Sequence, residues 1–232
     1  MLSLENIVVN IQGAAILRGV TFDVDAGQTV ALVGRNGAGK TTILRTIMGL
    51  INIVSGRAEF QNQEITRMRP HERPGLGIGY APEDRRLFSA FTVEENIKLP
   101  GQVAHLAFPE IAERLREIYE LVPELKELAT RPAGQISGGQ GKIVALGRAL
   151  MLGTKLILLD EPFQGLAPVL AARYGQVLKT LRSERPDISF LITESNPSLL
   201  EPFVGRTLIV ERGDLVESKF SKAASGGVTR NA

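Results

Sequence analysis

The segment "GRNGAGKT", Gly34 to Thr41, constrains this chain more than any other. It fits G-x-x-x-x-G-K-[ST], follows the apolar run "TVALV" and opens the helical segment "KTTILRTIMGL". A strand feeding a glycine-rich turn and then a helix aims successive backbone N–H groups at an anion. Gly37 and Gly39 permit the curl, and the helix N-terminus adds partial positive charge. Lys40 supplies a point charge for phosphate oxygens, and the Thr41 hydroxyl is a hard oxygen suited to Mg²⁺. Gly34, Asn36, Gly37, Ala38, Gly39, Lys40, Thr41 and Thr42 are the candidate phosphate-binding residues.

A second motif, "KLILLDEP", complements the first. Leu156–Leu159 read as a strand buried on both faces. Such a strand delivers Asp160 and Glu161 to the C-terminal edge of a sheet, where open α/β folds bind ligands. Successive strand side chains point opposite ways, so the two carboxylates can act separately. Asp160 is the candidate magnesium ligand, and Glu161 the candidate base that orients and deprotonates an attacking water.

The rest of the 232 residues fit around these motifs. β-type runs alternate with turns over the first hundred positions, with "GRAEFQNQEI" reading as a hairpin and "LGIGYAP" as a buried strand. Residues 94–152 change to helical character. Ile111, Leu115, Ile118, Val122 and Leu125 recur at helical spacing, and Pro123 is expected to break or kink that helix. Another helix is expected from Ser137 to about Met151. Strand character returns in "KLILLD", "ISFLIT" and "TLIVERGDLVES", with the helix "PVLAARYGQVLKTLRSE" between the first two. Alternating strands and helices imply a parallel sheet, and the helical stretch implies an inserted lobe. The polar tail 221–232 is expected to be flexible.

A hydrophobic content of 44% over 232 residues suits one large domain or two small lobes sharing a core. Without cysteine, disulfide scaffolds and thiolate metal sites are excluded. A net charge of +2 with scattered basic residues gives no reason to expect nucleic acid as a partner. No apolar run approaches the ~18 residues of a spanning helix, so membrane work would require another subunit.

A third element, "ISGGQ", places Ser137 and two glycines at a helix start, another anion-binding arrangement. With these three motifs in this order, residues 2–220 resemble the ATPase subunit of an ABC transporter. The resemblance implies an α/β P-loop NTPase fold with a mostly parallel core sheet, an N-terminal antiparallel β subdomain and an inserted helical subdomain. It implies ATP and Mg²⁺ as ligands and head-to-tail pairing with a second ATPase subunit, identical or different. Ser137, Gly138, Gly139 and Gln140 would then cap the ATP held by the partner. Two membrane permease subunits would hold the pair at the cytoplasmic face of the cell membrane, served indirectly by a periplasmic or extracellular solute-binding protein.

Within that family, "MRPHERPGLGIGYAPEDRRLFSAFTVEENI" and "DEPFQGLAP" resemble the F-type ATPases of branched-chain amino-acid importers. Glu83, where glutamine is commoner, and Ala167, where aspartate is commoner, agree with that subgroup, and Glu83 carries a carboxylate able to reach magnesium. Three positions depart from the pattern. Ile11 stands where an aromatic residue usually stacks on adenine. Gly141 and Lys142 replace a polar pair after the signature. Ser195, in "LITESNPSLL", stands where the subgroup tends to carry glutamine and most ABC proteins histidine beside the terminal phosphate. Two functions remain open: a transport ATPase with Glu161 and Ser195 at its catalytic centre, or an ATP-binding regulatory subunit that hydrolyses weakly and completes its partner's site.

Overall fold

A computed structural model describes residues 1–201 and 203–217; the expected tail 221–232 lies outside the described residues. Ten strands and six α-helices follow the chain as β1 (Leu2–Ile11), β2 (Ala14–Val24), β3 (Thr29–Val33), α1 (Lys40–Ile47), β4 (Ser55–Phe60), β5 (Gln63–Glu64) and β6 (Ile78–Ala81). Four helices come next: α2 (Val93–Val103), α3 (Phe108–Leu121), α4 (Pro123–Glu127) and α5 (Gly138–Leu152). The chain continues through β7 (Leu156–Asp160), α6 (Pro168–Glu184), β8 (Ser189–Glu194), β9 (Arg206–Glu211) and β10 (Asp214–Glu217).

Two sheets form. The N-terminal one is antiparallel, in the order β2-β1-β4-β5. The six-stranded sheet runs β10-β9-β3-β8-β7-β6, with β10 antiparallel to β9 and the other pairs parallel. Its central strands are apolar on both faces because each face meets a different core. Val30, Leu32, Leu156, Leu158 and Leu191 pack with α1 and the antiparallel sheet. Ala31, Val33, Ile157, Leu159, Phe190 and Ile192 pack with the helical segment. The two-residue alternation thus assigns each strand residue to one core or the other.

The helical segment owes its layout to local chemistry. Thr92 opens α2 through a capping box with Glu95. Val122, at φ −136°, separates α3 from α4, because Pro123 cannot donate the next helical hydrogen bond. Val122 and Leu125 are nonetheless fully buried. Helix α5 lies so close on β6 that a Cβ at Gly79 would fall 2.1 Å from the Ala149 carbonyl oxygen. The stretch "TLIVERGDLVES" contains two strands, β9 and β10, turning at Arg212 and Gly213. No helix of the described residues is long and apolar enough to cross a membrane.

Candidate active site

The loop from Gly34 to Gly39 joins the end of β3 to α1. Gly39 caps α1 at φ +113°, a conformation that favours glycine. No side chain caps this N-terminus, and its first turn carries no acid, so its N–H groups can turn to an anion. Lys40, only 4% exposed, lies across the loop. Its ammonium donates to the Gly34 carbonyl at 2.6 Å, the Arg35 carbonyl at 3.2 Å and Ser195 Oγ at 3.1 Å. It also pairs with Glu161 Oε1 at 2.9 Å.

Parallel pairing of β7 with β8 sets Asp160 opposite Thr193. Asp160 Oδ1 accepts hydrogen bonds from Thr41 Oγ1 and Thr193 Oγ1, both at 2.9 Å, and Oδ2 accepts from the Tyr80 hydroxyl at 3.1 Å. Burial and the Asp160 carboxylate push the Tyr80 phenol upward, so it remains a donor at neutral pH. Thr41 and Asp160 thus present two hard oxygens side by side. Among the described residues there is no group of three or more His, Cys, Asp or Glu able to hold a metal. One carboxylate, one hydroxyl and a nucleotide's own phosphate oxygens form a donor set that fits magnesium.

Glu161 serves a different set of partners. It sits just past the strand at φ +47°, a left-handed conformation costing a non-glycine residue about 1–3 kcal/mol. Its Oε1 accepts from Ser195 Oγ at 2.8 Å and its Oε2 from the Ser195 N–H at 3.2 Å. Burial raises its carboxyl, but the Lys40 and Ser195 hydrogen bonds outweigh that and hold it below the usual range. Ser195 Oγ also lies 2.8 Å from Asn36 Oδ1. Having one proton, the hydroxyl can donate to only one of these acceptors at a time.

Other candidates fall elsewhere. Ile11 ends β1 opposite Ala14 and is 37% exposed. An open cleft of about 540 Å³ beside the phosphate loop is lined by Gly34–Ala38 and by Ile209, Val210, Glu211 and Arg212, without Ile11. Ser137 caps α5 through a reciprocal pair with Gln140, at 3.2 and 3.0 Å, and the Gly138 carbonyl accepts from Arg85 at 3.0 Å. Among the described residues, no hydrogen bond joins Ser137–Gln140 to the phosphate loop. Glu83 is exposed, and its charge acts on Lys142.

Three participants escaped the sequence reading. Tyr80 and Thr193 hold Asp160, and no local motif marks them, because only the strand order β8-β7-β6 brings them to it. Glu194, 2% exposed, accepts from the Phe163 N–H at 2.8 Å and is pushed up to about 7, mainly by burial, with the Glu161 charge adding to that effect. Its signal was an acid terminating the apolar run "SFLIT".

A family profile described as ABC transporter matches residues 17–164. The chain belongs to the ABC transporter ATPase family. Like the family's cassettes, it is an ATPase. It is 33% identical over 216 residues to the high-affinity branched-chain amino acid transport ATP-binding protein BraG of Pseudomonas aeruginosa, covering 93% of this chain and 91% of that one. It is 35% identical to the probable branched-chain amino acid transport ATP-binding protein LivF of Archaeoglobus fulgidus, covering 76% and 75%. The lipopolysaccharide export ATP-binding protein LptB of Haemophilus influenzae is 29% identical, with 93% and 89% covered. The ADP conformation of the cassette MJ1267 superposes with a TM-score of 0.81 at 30% identity, covering 93% of this chain and 89% of that one. The ABC ATPase fold is therefore the one the sequence led us to expect.

Proposed function

We propose that the chain binds MgATP at Gly34–Thr42 and hydrolyses it to energise an importer of branched-chain or related hydrophobic amino acids. The juxtaposition of Lys40 with Glu161 carries the reading. A buried carboxylate and a phosphate-loop ammonium that pair with one another are poised for exchange. Phosphate oxygens attract Lys40 away, and Glu161 becomes free to orient a water and accept its proton. Thr41 and Asp160 would hold magnesium, with Glu83 as a further carboxylate at the rim. Magnesium, when bound, neutralises charge developing on the phosphates. Ser195 would steady Glu161 and Lys40 rather than act as a base. The cleft beside Arg212 would receive the remainder of the nucleotide.

The transport assignment rests on likeness to BraG and LivF. We infer a partner ATPase, identical or different, capped by Ser137–Gln140, together with two permease subunits and, indirectly, a solute-binding protein. The pair would lie on the cytoplasmic face of the cell membrane. A second reading is a regulatory subunit with weak hydrolysis that completes a partner's site; Ile11 in place of an aromatic residue, with Lys142 and Ser195, favours it. ATPase turnover of the purified chain, alone and with its partner ATPase, separates the two. Appreciable turnover alone supports the first reading, and turnover arising only from the partner's own site supports the second. Uptake assays with labelled leucine in cells lacking the chain test the cargo.

A further inference from the structure

We propose that Lys142 is a positioning residue for the hydrolytic carboxylate, anchoring the backbone of Glu161 from helix α5. The proposal rests on the reading of Glu161 as the base.

Lys142 lies in the second turn of α5, half-buried, and its ammonium donates to the Glu161 carbonyl oxygen. Glu161 is a residue whose backbone needs holding. Its φ of +47° is tolerated only where the surroundings fix it. The other backbone anchors come from the sheet and from its own turn. The Glu161 N–H reaches Thr193 O at 3.1 Å and Thr193 Oγ1 at 3.0 Å, and its carbonyl accepts from the Gln164 N–H at 3.2 Å. Among the described residues, Lys142 alone ties this peptide to the helical segment by a hydrogen bond.

The bond is charge-assisted, hence stronger than the neutral ones around it. Burial, helped by the Arg85 charge, lowers the Lys142 ammonium, and the carboxylates of Glu194, Glu83 and Glu161 oppose that effect in part. Glu194 is itself buried, and its carboxyl acts on the same ammonium. Removing the ammonium leaves the carbonyl to the Gln164 N–H alone and loosens the backbone that carries the carboxylate. Among the described residues, Lys142 itself makes no hydrogen bond to the phosphate loop. The consequence is a loss in the chemical step without a loss in nucleotide binding.

Lys142→Met should lower single-turnover ATP hydrolysis by about 10- to 100-fold, as expected when a reacting group is displaced by a fraction of an ångström to one ångström. MgATP affinity by calorimetry should be unchanged, and Lys142→Arg, which keeps a charged donor, should restore most of the rate. In a Glu161→Gln background Lys142→Met should add no further loss, because the group it positions is gone. A merely structural role would subtract in both backgrounds. If Lys142→Met fails to fold, Lys142→Met/Glu194→Gln removes both buried titratable groups and is measured instead, with the same expectation. Wild-type turnover in a folded variant, or affinity falling in step with rate, overturns the proposal. Should Glu161→Gln itself turn over normally, the reading of the base falls and this proposal with it. An inactive Glu161→Gln beside a fully active Lys142→Met sinks the Lys142 role alone.

Discussion

Lys40 Nζ and Glu161 Oε1 lie 2.9 Å apart, each side chain almost wholly withdrawn from solvent. Two functions that sequence motifs assign to separate groups are thus joined into one ion pair. The pair explains why neither buried charge is left uncompensated. On the proposed reading, it would make Lys40 a switch between a carboxylate and a phosphate.

Lys40→Ala should abolish detectable MgATP binding by calorimetry while the chain stays folded by circular dichroism. The substitution removes the only ammonium in the loop and leaves the Glu161 carboxylate facing incoming phosphate charge. Retained wild-type affinity would place the nucleotide elsewhere.

Ser195→Ala should slow turnover by less than about tenfold. The hydroxyl donates to the Glu161 carboxylate or to Asn36 and accepts from the Lys40 ammonium; bonds to charged groups contribute roughly 1.5–3 kcal/mol net, but these hold the resting ion pair, which incoming phosphate takes apart in any case. Lys40 and the Ser195 N–H still hold Glu161 in the variant. A loss as complete as that from removing the Glu161 carboxylate would give Ser195 a catalytic role.

Stability should fall as pH rises from about 4.5 to about 7. Glu194 has a folded value near 7 against an ordinary 4.5, so across that window the folded chain holds a proton that the unfolded chain has released. The full effect is on the order of 3 kcal/mol, since each tenfold change in proton affinity is worth about 1.4 kcal/mol. Glu161 is held low and therefore acts below this window, with the opposite sign. Urea titrations at a series of pH values should show the slope, and Glu194→Gln should flatten it. An equal slope in the variant would assign the proton to another group.

Permease subunits should protect residues 94–130 from hydrogen exchange. This segment carries none of the site residues, and it exposes Val103 and Phe108 at 69% and 82%. Protection confined to other surfaces on adding the permease would remove it as the docking face.

Much of this architecture was legible because its signals are local. Helix α6 runs over the "PVLAARYGQVLKTLRSE" expected, since Pro168 suits a first helical turn and Leu178 and Leu181 mark a buried face. The continuous apolar runs of β3, β7 and β8 announced strands covered on both sides. Thr41 and Asp160 could be paired in advance because each closes its own motif. What stayed hidden depends on strand order and helix rotation. Tyr80 meets Asp160 across 80 positions of sequence, and Lys142 reaches Glu161 only because α5 packs on the sheet. Lys142 read as a departure from pattern, and the structure gives it a partner.

Single-turnover ATP hydrolysis by Glu161→Gln beside the wild type, with MgATP affinity measured on the same preparations, bears most closely on Glu161 as the base. The amide cannot accept the water's proton, and loss of a general base typically costs about 10²–10⁴ in rate. That loss is expected with binding intact or tightened, since Lys40 is no longer held by a carboxylate. Hydrolysis at the wild-type rate would show that another group, or none, takes the proton.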